Sequence, residues 1–201
     1  MKIAPLAAAL LLILSVAPVQ AATPVLRLVT LGDSITDSHW AKPATWPTIV
    51  SADSPRLTLV YNAGVHGNTT AQMLARTPLM LTDHHPNVVT LLGGTNDDLR
   101  GLSLSAGIAN LKSIVDLCHA DGAVVIMMTL PPNKLGVATW NAAITALAQE
   151  EGAPLVDIHA VLSQPDGTWI PSMQLDGIHP SPAGNVAEAK AILAVANALW
   201  P

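Results

Sequence analysis

Runs of consecutive apolar residues alternate along this chain with segments in which apolar residues recur every three or four positions. Uninterrupted apolar runs that are bounded by turn residues are typical of parallel strands buried on both faces of a sheet. Runs of this kind predict strands at Val25 to Leu31, Leu57 to Tyr61, Val88 to Leu92, Ala123 to Leu130 and Pro154 to Ile158.

The intervals between these strands carry helical periodicity. They predict helices at Trp46 to Ala52, Thr70 to Thr82, Ser105 to His119 and Thr139 to Glu150. A last helix begins at Ser181-Pro182, an N-cap residue followed by proline at the first helical position. The alternation predicts an α/β fold, a three-layer α/β/α sandwich around a five-stranded, mostly parallel central sheet. In such a sheet ligands bind beyond the carboxyl ends of the strands.

The first residues have the three parts of a secretory signal peptide. Met1-Lys2 is a short positive region, Leu6 to Ala17 is apolar, and Val19-Gln20-Ala21 fits the small-x-small cleavage pattern. The apolar stretch is short for a membrane span. We therefore expect residues 1–21 to be a cleaved signal, with an uncleaved anchor as the alternative, and residues 22–201 to form one secreted or periplasmic domain without stable membrane insertion.

Charge and cysteine content narrow the functional classes further. The chain has 9 basic and 14 acidic residues, for a net charge of −5, and its basic residues do not cluster. This balance argues against a nucleic-acid partner. The single cysteine, Cys118, lies on the apolar stripe of a predicted helix, so we expect a buried thiol rather than a disulfide.

Four polar loops carry the candidate chemistry. Three of them follow predicted strands and one precedes the last helix: Gly32-Asp33-Ser34-Ile35-Thr36, Asn62-Ala63-Gly64-Val65-His66-Gly67-Asn68, Gly93-Gly94-Thr95-Asn96-Asp97 and Asp176-Gly177-Ile178-His179-Pro180. Loops that follow parallel strands meet at one edge of the sheet, so we expect all four to converge.

Together the loops offer the groups that acyl transfer requires. A serine hydroxyl needs a neighbouring base to become a good nucleophile, and His179 is the best candidate to activate Ser34. Asp176 lies three residues before His179, close enough to bind the other imidazole nitrogen and select the tautomer. Alternatively, Ser34 caps the following helix and His179 is a loop histidine. Asp33 and Asp97 are expected to brace their loops.

The four blocks, in this order and spacing, resemble those of the GDSL-like lipase/acylhydrolases. These enzymes are also called SGNH hydrolases after the four residues they share, which here are Ser34, Gly67, Asn96 and His179. Ile35-Thr36 stands where the GDSL name has leucine. The resemblance implies that the backbone N–H groups of Ser34 and Gly67 and the side-chain amide of Asn96 form the oxyanion hole. It favours Gly67 over the competing Gly64.

These observations predict a serine esterase that removes short acyl groups, acetyl in particular, from a small-molecule or glycan-linked ester. It would work through an acyl-enzyme formed by Ser34, His179 and Asp176, without a cofactor or a metal. The alternatives are a lysophospholipase or thioesterase of the same fold, an acyltransferase, and a carbohydrate-binding module without turnover.

Several further side chains are candidates for the rim of the site. Trp40 and Trp46 are candidates for an acyl or sugar platform, although Trp46, before Pro47, is expected to be a core anchor. His66 either lines the pocket or is an exposed loop residue, and Asn133 is expected at the border of the cleft. His84-His85 is interpreted as a solvated pair at a helix end rather than a metal site.

Overall fold

A computed structural model describes residues 25–201 of the chain. The signal peptide predicted for residues 1–21 lies outside this range. The described part forms one five-stranded sheet in the order β2-β1-β3-β4-β5, and every pairing is parallel. The strands are β1 (Leu26–Gly32), β2 (Leu57–Gly64), β3 (Val88–Leu92), β4 (Val124–Met128) and β5 (Leu155–Val156). The predicted fold class is confirmed.

Helices cover both faces of the sheet. The helices are α1 (Ser34–Asp37), α2 (Trp46–Asp53), α3 (Thr70–His84), α4 (Thr95–Leu99), α5 (Leu104–Ala120), α6 (Ala138–Glu150), α7 (Ile158–Leu162) and α8 (Pro182–Leu199). One layer contains α3, α5 and α6, and the other contains α2, α7 and α8. Among residues 25–201, no helix is both long and apolar enough to cross a membrane.

The core follows directly from the apolar runs. All five residues of β3 are buried, and so are the last five residues of β1. Strands at the centre of a doubly covered sheet have no polar face, which explains why their sequences are continuously apolar. Cys118 is fully buried in α5, as predicted, and burial raises the pKa of its thiol to about 12.

The structure corrects several predicted boundaries. The fifth strand, predicted over Pro154 to Ile158, pairs only at Leu155–Val156, because Asp157 accepts a hydrogen bond from the backbone of Ala160 and caps α7. Strand β2 runs three residues beyond the predicted end at Tyr61 and stays paired with β1 as far as Gly64. The short helices α1, α4 and α7 were not predicted.

Candidate active site

The loop after β1 presents Ser34 at the first position of α1. The carboxylate of Asp33 accepts a hydrogen bond of 2.9 Å from the backbone N–H of Ile35 and caps this short helix. Asp33 therefore braces its loop, as the sequence predicted. Gly32 permits the turn, because a Cβ there would lie 2.0 Å from Oγ1 of Thr36 and 2.8 Å from the carbonyl oxygen of Leu92.

Ser34, His179 and Asp176 form a continuous chain of hydrogen bonds. Oγ of Ser34 lies 3.0 Å from Nε2 of His179, and Nδ1 of His179 lies 2.7 Å from Oδ2 of Asp176. The other carboxylate oxygen, Oδ1, accepts the backbone N–H groups of Ile178 and His179 at 3.0 and 2.9 Å. One carboxylate thus shapes its own turn and orients the imidazole.

The hydrogen bonds around Asp176 favour its ionised form. Partial burial by itself would raise the pKa of Asp176, but the hydrogen bonds from the ring and backbone of His179 outweigh it and hold the pKa below its usual value. Ser34 is 8% exposed. The surroundings of its hydroxyl are therefore largely protein.

The loop that carries His179 is held from several sides. The backbone N–H of Leu175 donates to the carbonyl oxygen of His179 at 2.9 Å, and Trp169 Nε1 donates to the carbonyl oxygen of Gly177 at 3.1 Å. Nε1 of Trp40 donates to the carbonyl oxygen of Pro180, and the Trp40 ring lies against the His179 ring with the centroids 4.3 Å apart. These contacts fix the position of the imidazole.

The loops after β2 and β3 meet beside Ser34. The side-chain amide of Asn96 donates to the carbonyl oxygen of Asn68 at 3.0 Å and to Oδ2 of Asp33 at 3.2 Å. Gly67 has φ +70°, a left-handed conformation that favours glycine, and its carbonyl oxygen accepts a hydrogen bond from Arg100. The three loops that follow strands β1, β2 and β3 therefore converge as predicted.

Buried carboxyl groups lie close to the point where these three loops meet. Asp97 accepts hydrogen bonds from the backbone N–H and the hydroxyl of Thr70, and so braces its loop as predicted. Burial, with the nearby Asp97 adding to it, raises the pKa of Asp33 to about 7. Glu188 on α8 is fully buried, and burial raises its pKa well above the usual value.

An arginine that was not among the predicted site residues ties the loops together. Arg76 donates from Nε to Oδ1 of Asn68 at 2.9 Å and from Nη2 to the carbonyl oxygen of Gly32 at 2.8 Å. It joins the loops after β1 and β2. The signal that could have found it was its position in the first half of the helix that follows the second loop, in a chain with few basic residues.

The other side chains considered in the sequence analysis lie in different surroundings. Trp46 is fully buried and donates to the carbonyl oxygen of Ile35, which confirms it as a core anchor. Asn133 donates to Asp98 at 2.8 Å and lines a cleft of about 530 Å³ that Gly177 and Trp169 also line. His84 stacks on Tyr61, with ring centroids 4.1 Å apart.

The sequence and structure of the chain match known ester hydrolases. Residues 30–187 match the model of the GDSL-like lipase/acylhydrolase family. The chain belongs to this family. It is 33% identical to thioesterase 1/protease 1/lysophospholipase L1 of Escherichia coli strain K12, over 77% of this chain and 75% of that protein. It is 30% identical to an arylesterase of Vibrio mimicus, over 78% of this chain and 80% of that protein.

A solved structure agrees with the family assignment. The crystal structure of TesA superposes with a TM-score of 0.73 at 27% identity, covering 86% of this chain and 99% of that one. The resemblance inferred from the four sequence blocks is therefore confirmed, and this member of the GDSL family is a carboxylic ester hydrolase.

Proposed function

We propose that this protein is a serine esterase in which Ser34 is the nucleophile, His179 the general base and acid, and Asp176 the orienting carboxylate. The hydrogen-bonded chain from Oγ of Ser34 through both ring nitrogens of His179 to Asp176 supports this proposal. The same three groups serve acyl transfer on unrelated folds, because the roles depend on geometry rather than on sequence position.

The reaction has two halves. In the first, Nε2 of His179 takes the hydroxyl proton of Ser34 while Oγ attacks the ester carbonyl carbon, and a tetrahedral intermediate forms. The same proton then passes to the leaving alcohol oxygen as the C–O bond breaks, which leaves an acyl-Ser34. In the second half His179 deprotonates water, the hydroxide attacks the acyl carbon, and the acid departs as the proton returns to Oγ.

The oxyanion hole consists of the N–H groups of Ser34 and Gly67 and the side-chain amide of Asn96. Gly64 is a poorer candidate, because its N–H already donates to Oδ1 of Asn62 at 2.9 Å. A Cβ on Gly64 would also lie 2.2 Å from the backbone nitrogen of Asp37, so close packing against α1 accounts for that glycine. Asn96 would turn one N–H from its longer contact, with Asp33, toward the developing oxyanion.

The proposed substrate is a short acyl ester, acetyl in particular, on a small alcohol or a carbohydrate. The Trp40 ring beside His179 supplies an apolar face of the kind on which a sugar ring packs. The cleft lined by Asn133, Trp169 and Gly177 adjoins the His179 loop and offers polar groups to an alcohol moiety. A thioesterase or lysophospholipase activity is the second candidate, because the E. coli relative carries those names.

A series of p-nitrophenyl esters from acetyl to palmitoyl tests both the chemistry and the chain length. We expect the acetyl ester to be the best substrate and Ser34→Ala to abolish turnover. Ser172→Ala removes an exposed serine hydroxyl near the site and should leave the rate unchanged. Hydrolysis that persists in Ser34→Ala would remove Ser34 from the mechanism, and a preference for long acyl chains would favour the second candidate.

Further substrates separate hydrolysis from acyl transfer and from binding without turnover. Added sugar acceptors that divert the acyl group from free acid to a new ester would indicate an acyltransferase. Glycan binding without any hydrolysis would indicate a binding module. Hydrolysis of acetylated polysaccharides is the most direct test of the proposed acetyl esterase activity.

We also propose that the enzyme is exported and that residues 1–21 are removed. The amino-terminal pattern of charge, apolar stretch and small-x-small site supports this proposal. Amino-terminal sequencing of the protein from the periplasm or medium should begin at Ala22. Recovery of the chain in the cytoplasm with Met1 intact would contradict export.

A further inference from the structure

Three metal-ligating side chains converge next to the candidate active site without taking part in the proposed mechanism. Asp37 is the last residue of α1, His39 lies in the short 3₁₀ turn that follows, and His66 lies in the loop after β2. Nε2 of His66 is 2.7 Å from Oδ2 of Asp37, Nδ1 of His39 is 2.8 Å from the same oxygen, and the two ring nitrogens are 2.8 Å apart. These three atoms form a nearly equilateral triangle.

Hydrogen bonding alone cannot satisfy this triangle. The carboxylate of Asp37 only accepts, and each imidazole nitrogen either carries a proton or presents a lone pair. If both nitrogens are protonated, two N–H groups face each other at 2.8 Å. If only one is protonated, the contact between the other nitrogen and the carboxylate brings two lone pairs together. A cation above the triangle makes all three contacts favourable at once.

The geometry suits one class of cation. An ion placed roughly 2.1 Å from each atom would subtend ligand–metal–ligand angles of about 80–85°. These angles are close to the right angles of facial octahedral coordination and smaller than the tetrahedral angles usual for zinc. Two imidazole nitrogens and one carboxylate are typical ligands of first-row transition metals, whereas calcium and magnesium prefer oxygen ligands. The side chains of His39 and His66 are each 51% exposed, so water can fill the remaining positions.

We propose that Asp37, His39 and His66 form a binding site for a divalent first-row transition-metal ion that takes octahedral coordination, such as Ni²⁺, at the rim of the active site. The ion joins the end of α1, which begins with Ser34, to the loop that continues into Gly67. The Trp40 ring contacts both ligand histidines, with centroids 4.9 Å from His39 and 5.6 Å from His66, and also packs on His179. Metal binding therefore stabilises the elements that hold the candidate nucleophile and base.

Equilibrium dialysis of tag-free full-domain protein, stripped with chelator and then offered Ni²⁺ alone, tests the site. We expect one ion per chain. Because loss of an outer-shell partner already weakens metal sites by about 10- to 100-fold, loss of a ligand in Asp37→Asn, His39→Ala or His66→Ala should weaken binding by at least about tenfold. His119→Ala removes an exposed imidazole on α5, outside the cluster, and should bind the ion as the wild type does.

Two further readouts separate the site from non-specific binding and from unfolding. The visible spectrum of the Co²⁺-loaded protein should show the weak bands of five- or six-coordination, and these bands should be lost in His66→Ala. Ni²⁺ should raise the Tm of the wild type and of His119→Ala, and should leave the Tm of His66→Gln unchanged. Failure of the wild type to retain an ion, or equal retention by the double variant His39→Ala/His66→Ala with native circular dichroism, would overturn the proposal. These measurements do not depend on ester hydrolysis.

Discussion

Replacing Asp176 with asparagine separates the orienting role of the carboxylate from the shape of its turn. In Asp176→Asn the side-chain oxygen can still accept the backbone N–H groups of Ile178 and His179, so the loop should fold as before. The amide nitrogen then faces Nδ1 of His179 with a hydrogen to donate. This favours the ring tautomer with its proton on Nε2, and that tautomer cannot accept the Ser34 proton.

The solvent exposure of Asp176 and His179 determines how far the rate should fall in Asp176→Asn. An imidazolium and a carboxylate about 4 Å apart attract each other by about 1 kcal/mol in water and about 4 kcal/mol at an effective dielectric constant near 20. The Asp176 side chain is 54% exposed and that of His179 is 22% exposed, which places this pair between the two limits. Losing about 2–3 kcal/mol of transition-state stabilisation corresponds to roughly 30- to 150-fold in rate. With the tautomer effect added, we expect kcat to fall by about 10²- to 10³-fold.

The assay is steady-state hydrolysis of p-nitrophenyl acetate, with unfolding by urea measured in parallel. Asp116→Asn makes the same chemical change on the exposed face of α5, where the Asp116 side chain is 56% exposed, and should retain the wild-type kcat. If Asp176→Asn keeps more than a tenth of the wild-type kcat while remaining sensitive to Ser34→Ala, another group orients His179 and the reasoning fails.

Three further substitutions test the oxyanion hole, the packing of α1 and a buried carboxyl group. Asn96→Ala should lower kcat by about 10²- to 10³-fold with little change in KM, since an oxyanion donor acts mainly in the transition state; an unchanged kcat would exclude its amide. Gly64→Ala should lower the free energy of unfolding in urea by at least about 2 kcal/mol, because its Cβ would lie 2.2 Å from the backbone nitrogen of Asp37; wild-type stability would contradict this packing. Glu188→Gln should raise the free energy of unfolding at pH 7, because both carboxylate oxygens are buried without a hydrogen-bond partner among the described residues. Burial raises the pKa of Glu188 in the folded state above its ordinary value of 4.5. The free energy of unfolding of the wild type therefore falls as pH rises above 4.5, by up to about 1.4 kcal/mol per pH unit. The gain in Glu188→Gln should therefore vanish at pH 4, and equal stability of both proteins at pH 7 would refute the burial argument.

Local patterns were sufficient for the central strands and the long helices. The apolar run at Val88–Leu92 predicted β3 to the residue, because a strand buried on both faces leaves its full length in the hydrophobic signal. Helices α3 and α5 were predicted within two residues at each end. Helices α1 and α4, of four and five residues, are too short to show a period. The Asp33 side chain caps α1, whereas α4 begins after Gly94 without a side-chain cap.

Residue order alone was enough to predict the α/β alternation, the family, and the local relation of Asp176 to His179, whose three-residue spacing already allows the carboxylate to reach the ring. It also indicated that Ser34 and Asn96 follow strand ends and so share one edge of the sheet. Which donors are free and which are already used became clear only from contacts in the folded chain, as for the N–H of Gly64. Folding also brings His66 within 2.8 Å of His39, across 27 residues of chain, because that contact depends on the pairing of β1 with β2 and leaves no local pattern.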